Sequence, residues 1–123
     1  MSEIQKKILV IEDEKPMAKA LQLKLASSGF AVEVANDGED ALNKILAQKF
    51  DLVLLDLVIP KKDGFSILRE LQEQNYTTPI IVTSNLSQPE DEKKAHELGA
   101  IGYIIKSNTP LLKIIDKVRQ TLS

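Results

Sequence analysis

A chain of 123 residues and 13.7 kDa has the length of one domain, and 43% apolar with 28% charged residues is the mix of a globular protein with its own core. Sixteen Lys and Arg against eighteen Asp and Glu leave a net −2, which speaks against nucleic acid as a direct partner, because neutralising phosphates needs a cationic surplus. The absence of cysteine excludes disulfides, thiolate metal sites and cysteine nucleophiles; a lone histidine, His96, excludes a multi-histidine metal site; and no apolar run approaches the ~20 residues of a membrane span, so a soluble cytoplasmic domain with no membrane partner is expected.

The N-terminal MSEIQKK has no apolar signal region. Residues 7–11 (KILVI) form the first β-rich run, and a helix is predicted over 14–28, with Pro16 in its first turn and Gly29 just past its end. Met17, Leu21 and Leu25 recur every four residues as its core stripe. A weaker strand, AVEVA at 31–35, leads to a helix over 38–48 that is capped by Asp37 and buries Leu42, Ile45 and Leu46. The run DLVLL at 51–55 is the third strand. Asp63-Gly64 opens a third helix that buries Leu68 and Leu71. PIIV at 79–82 is the fourth strand, and the pair Ser87 and Glu90 has capping-box spacing for a helix ending at Leu98 before Gly99. The last strand is IGYII at 101–105. Thr109 is the expected cap of a final helix with Pro110 as its first residue and Leu111, Ile115, Val118 and Leu122 on one face.

The strong apolar runs do not alternate with polar residues, which is the pattern of strands covered on both faces. Five strand-helix pairs in this length predict one α/β domain over 1–123, a five-stranded doubly wound parallel sheet with five helices. Ligands of such sheets sit beyond the carboxyl ends of the strands. The strands deliver Glu12-Asp13-Glu14, Asp56, Thr83-Ser84-Asn85 and Lys106 to that edge. Asp13 or Glu14 can instead cap the first helix. Asp56 is a lone charge between LVLL and LVI, and burying an unpaired carboxylate costs several kcal/mol, so it needs a partner, either Lys106 or a metal. Clustered carboxylates repel by ~4 kcal/mol per pair at ~4 Å and an effective dielectric of ~20. An all-oxygen site that relieves this with a hard divalent cation suits Mg2+. Such a site can accept a phosphoryl group on a carboxylate, with the cation, Lys106 and a Thr83 hydroxyl meeting its oxygens.

The set ILVIEDE at 8–14, LVLLDLVIPKKDG at 52–64, IIVTSN at 80–85, GA at 99–100 and YIIK at 103–106 resembles, in order and spacing, the receiver domains of two-component response regulators, whose fold is flavodoxin-like. The resemblance implies that Glu12 and Asp13 organise Mg2+, Asp13 directly and Glu12 through water, and that Asp56 is both phosphoacceptor and metal ligand. It implies that Val58 gives its backbone carbonyl to the metal, that Thr83 is the switch hydroxyl, Lys106 the family lysine and Tyr103 the aromatic switch. It also implies that Val58 and Asn85 flank the water that removes the phosphoryl group and tune that rate. The chain departs from the family at Ser107, where proline commonly follows the lysine. A cis bond without proline costs ~3 kcal/mol, so a trans bond or a strained loop is expected there.

The function so implied is a phosphorylation-controlled switch. A histidine kinase or phosphotransfer protein donates to Asp56, and the face of the fourth helix, fifth strand and fifth helix changes its affinity for a downstream protein. This is a regulatory module that catalyses its own phosphorylation and dephosphorylation rather than an enzyme turning over a substrate. Two alternatives stay open: a pseudo-receiver that binds partners unphosphorylated, and a Mg2+-dependent phosphohydrolase with Asp56 as nucleophile, which normally wants a second acid where this chain has Val58. His96 and the pairs Lys61-Lys62 and Lys93-Lys94 read as solvated surface.

Overall fold

A computed structural model describes residues 5–123; residues 1–4, the start of the charged N-terminal stretch, lie outside the described residues. Five strands alternate with five helices: β1 (Lys7–Ile11), α1 (Lys15–Ser27), β2 (Ala31–Ala35), α2 (Gly38–Ala47), β3 (Leu52–Leu55), α3 (Gly64–Glu73), β4 (Ile80–Ser84), α4 (Pro89–Glu97), β5 (Gly102–Ile105) and α5 (Leu111–Leu122). The strands make one sheet of order β2-β1-β3-β4-β5, parallel throughout. Successive strand residues face opposite sides, so each strand feeds two cores. Leu9, Ile11, Val53, Leu55 and Val82 pack with α2, α3 and α4, whereas Ile8, Val10, Leu52, Leu54 and Ile81 pack with α1 and α5. That double burial is why Ile8 to Ile11 of β1 and the whole of β3 are unbroken apolar runs.

Most helix ends follow local chemistry. The Asp37 carboxylate accepts from Asp40 N at 2.8 Å and the Asp63 carboxylate from Ser66 N at 3.0 Å, capping α2 and α3. Gly29 and Gly99 end α1 and α4 with φ of 99° and 106°, which a Cβ disfavours.

Three expectations need correction. The Ser87 capping box does not form: α4 begins one residue later, with Gln88 at its cap and no side-chain bond, because Pro89 fixes the first helical φ by itself. Thr109 is not the cap of α5. A short 3-10 turn (Lys106–Asn108) intervenes, Pro110 takes the cap position and the helix starts at Leu111. Leu46 is 72% exposed, since the inward face of α2 runs through Gly38, Ala41 and Ile45, and one residue beyond Ile45 turns ~100° away. In α5 Leu111, Ile115, Val118 and Leu122 face one core as expected, with Ile114 buried beside them and Leu111 and Leu122 half-buried at the helix ends. No cis peptide occurs among the described residues, so Lys106-Ser107 is trans.

Candidate functional site

The parallel register brings the carboxyl ends of β1, β3, β4 and β5 together. Glu12 follows β1 and its N–H donates to Ala35 O at 2.9 Å; Asp56 follows β3 and its N–H donates to Ile11 O at 3.0 Å. Both side chains thereby leave the sheet at the same level, and they are only 1% and 4% exposed. Two buried carboxylates would repel strongly, and one ammonium joins them. Lys106 Nζ, from the residue just after β5, donates to Glu12 Oε1 at 2.7 Å and to Asp56 Oδ2 at 2.9 Å. It also lies 3.4 Å from the exposed Glu14 carboxylate.

The other carboxylate oxygens find backbone donors. Glu12 Oε2 accepts from Glu14 N at 3.1 Å, and Asp56 Oδ1 from Val58 N at 3.1 Å. Asn36 Nδ2 donates to the Glu12 carbonyl at 3.0 Å and fixes that residue from β2. Burial pushes the Glu12 carboxyl above its ordinary value, only partly offset by the hydrogen bonds from Lys106 and Glu14. Burial would lower the Lys106 ammonium, but hydrogen bonds to Glu12 and Asp56 and their negative charge outweigh it and push it above the ordinary lysine value.

Asp13 stands at the rim, partly exposed. Glu12, Asp13 and Asp56 each offer one oxygen, and these lie within 4.8 Å of one another. Three ionised carboxylates with one ammonium leave a formal −2, the charge that one divalent cation balances, and the all-oxygen donor set is that of Mg2+. The residues present therefore fit such an ion. They open onto a cleft of about 340 Å3 lined by Asp13, Glu14, Asp56, Val58, Asn85 and Lys106 with Leu86. A groove of about 550 Å3 between 45–50 and 76–78 lies at the opposite sheet edge and has no carboxylate in its lining.

The remaining residues surround this cluster. Thr83 is 1% exposed and follows Val82, the partner of Leu55, so it stands beside Asp56 on the neighbouring strand. Val58 is 60% exposed on the cleft wall. Tyr103 is half-buried on β5, outside the cleft lining, and its hydroxyl donates to Leu86 O at 2.7 Å. Asn85 reaches the rim, but its Oδ1 accepts from Ser107 N at 2.9 Å, a bond the sequence reading did not foresee. The Glu14 and Asn36 contacts were also missed. Asn36 has a signal in hindsight: it follows the last residue of β2, at the same sheet edge, but only the strand order places it beside Glu12. His96 is exposed, its Nδ1 2.9 Å from Ala100 O, away from the cluster.

The model of the response regulator receiver domain family matches residues 8–119. The chain belongs to that family. Among curated proteins this receiver domain is 45% identical over 100 residues to the transcriptional regulatory protein DltR of Streptococcus agalactiae, covering 81% of this chain and 45% of that protein. It is 38% identical over 107 residues to the alkaline phosphatase synthesis transcriptional regulatory protein PhoP of Bacillus subtilis, covering 87% and 45%. The receiver domain thus spans about 45% of the length of these relatives. Among solved structures it superposes on the receiver domain of the Francisella response regulator 1452 with a TM-score of 0.91 at 30% identity, covering 96% and 97% of the two chains. The BeF3-activated receiver domain of Klebsiella pneumoniae RstA gives 0.88 at 32% identity, covering 95% and 98%. Receiver domains are regulatory modules, and the five-stranded parallel sheet with its five helices is their fold. Among the described residues no helix is long and apolar enough to cross a membrane.

Proposed function

We propose that this receiver domain, one unit over 1–123, is a phosphorylation-controlled switch with Asp56 as phosphoacceptor. The observation that supports this best is the Lys106 ammonium shared between Asp56 and Glu12 at the mouth of an open acidic cleft. A purely structural buried ion pair has no need of a third carboxylate at its rim or of an opening to solvent.

An Asp56 oxygen attacks the phosphorus of a phosphohistidine on a histidine kinase or phosphotransfer protein. The new O–P bond forms as the N–P bond breaks, and the electron pair stays on the imidazole nitrogen. Lys106 keeps one Asp56 oxygen oriented and meets charge on the phosphoryl oxygens, and the Thr83 hydroxyl donates to another of them. Mg2+ would be held by Asp13, Asp56 and the Val58 carbonyl, with Glu12 acting through water, and when bound it supplies positive charge to the transferring group. Thr83 moves toward the phosphoryl group, and Tyr103 leaves its bond to Leu86 for the space behind it. The face of α4, β5 and α5 is thereby altered for a downstream protein. Val58 and Asn85 flank the water that later removes the phosphoryl group. The module acts on itself, in the cytoplasm, without direct nucleic-acid contact.

The test is intact mass after treatment with Mg2+ and acetyl phosphate. One added phosphoryl group, absent in Asp56→Asn, is expected. Equal labelling of that variant overturns the assignment, and an unlabelled wild type returns the chain to the pseudo-receiver reading. Steady release of phosphate from varied esters would favour the hydrolase.

A further inference from the structure

We infer that Asn85 is a positioning residue for Lys106, acting through the backbone of Ser107. The inference rests on the reading of Lys106 as part of the phosphotransfer site.

Lys106 is the first residue of a three-residue 3-10 turn, and its side chain must span from there to two fixed acceptors, Glu12 and Asp56. The first N–H groups of any helical turn have no partner inside it. The residue before the turn, Ile105, carries no acceptor and makes no side-chain cap. The missing acceptor comes from another loop: Asn85 Oδ1, 22 residues away in sequence, receives the Ser107 N–H at 2.9 Å. Asn85 thus does for the Lys106 turn what an N-cap residue does for a helix. Ser107 is what makes this possible, because a proline there would have no N–H to donate.

The Asn85 loop is itself held. Ser84 Oγ accepts from Leu86 N at 3.2 Å, and Leu86 O accepts from the Tyr103 hydroxyl at 2.7 Å. The carboxamide therefore projects from a clamped segment onto the turn that aims the lysine. Asn85, Lys106 and Ser107 line one shallow hollow together with Glu14 and Met17, so the contact lies at the surface and its loss leaves the core untouched.

Two measurements decide this. The first is the rate of Asp56 labelling by acetyl phosphate with Mg2+ in excess. Asn85→Leu, near in size but without an acceptor, should label about fivefold more slowly, the weight of one hydrogen bond. Asn85→Asp, which keeps the acceptor, should recover most of the rate. In a Lys106→Met background, Asn85→Leu should cause no further slowing. The second is a urea-unfolding cycle over the wild type, Asn85→Leu, Lys106→Met and the double variant, which needs no phosphorylation. The loss of stability on Asn85→Leu should shrink when Lys106 is Met. Wild-type labelling by Asn85→Leu, or equal slowing with and without Lys106, overturns the inference. If the wild type takes no label, the phosphotransfer reading fails and the unfolding cycle alone decides: coupling upholds the Asn85–Lys106 link, and strict additivity refutes it.

Discussion

Lys106 carries more of the site than any other single residue. Its ammonium is what allows Glu12 and Asp56 to be buried side by side, and its side chain is only 7% exposed. Lys106→Met should therefore leave two buried carboxylates facing each other and destabilise the protein by ~3 kcal/mol in urea unfolding at neutral pH. Adding Glu12→Gln should recover part of that loss. The pH dependence has a definite sign. The folded-state value of Lys106 is raised, so its contribution is complete below the ordinary lysine value of 10.5 and is lost as pH climbs above it. A urea series across that alkaline range should show wild type falling and Lys106→Met lacking that component. Under the proposed function, Val58 bears on a different stage, the loss of the phosphoryl group. Its methyl groups sit 60% exposed on the cleft wall and offer no hydrogen bond to a water approaching the phosphoryl group. Slow loss of phosphate from Asp56 is expected, and Val58→Asn should accelerate it by more than Asn85→Ala slows it. A Mg2+-saturated decay time course reads both, and unchanged decay in Val58→Asn would assign the rate to another group.

At the scale of elements, the loop from β3 to α3 is fixed by two glycines. A Cβ on Gly64 would lie 2.6 Å from Leu57 Cα and 2.8 Å from Asp56 O, both backbone atoms, and Gly64 N donates to Leu57 O at 2.8 Å. A Cβ on Gly38 would run into the Lys62 carbonyl, so α2 and this loop are in van der Waals contact. Gly64→Ala should cost ~2 kcal/mol, because backbone on both sides cannot yield, and should slow Asp56 labelling as well by displacing its peptide. Labelling at the wild-type rate in a destabilised Gly64→Ala protein would show that the Asp56 peptide tolerates the shift. The elements also show where local sequence signals fail. Asp37 and Asp63 cap as read, since each needs only its own next turn. Ser87 and Thr109 do not cap, because Gln88 and Pro110, one residue beyond each, take the cap positions.

For the whole molecule, the site exists because four strand ends meet. Divalent cation should relieve the repulsion among Glu12, Asp13 and Asp56, so Mg2+ should raise thermal stability by RT ln(1 + [L]/Kd) over an EDTA-treated sample. The gain should largely vanish in Asp13→Asn. That variant should also melt about 2–4 °C above wild type without metal, since one repelling charge is gone. A metal-free Asp13→Asn protein that melts below wild type would argue against a repelling cluster.

The sequence by itself determined the α/β alternation, the strands of the double-sided core and which polar residues stand at the carboxyl edge of the sheet, because apolar runs, periodicity and motif spacing are properties of neighbours along the chain. It left open whether Asp56 would pair with Lys106 or with a metal. Only the tertiary structure decided that one ammonium bridges Glu12 and Asp56, 94 and 50 residues away, and that Asn36 and Asn85 brace this edge from β2 and from the loop after β4. Those contacts depend on strand order and on where each side chain leaves the sheet. A polar residue at a strand end reads alike in sequence whether it meets solvent, a helix end or a lysine from across the fold.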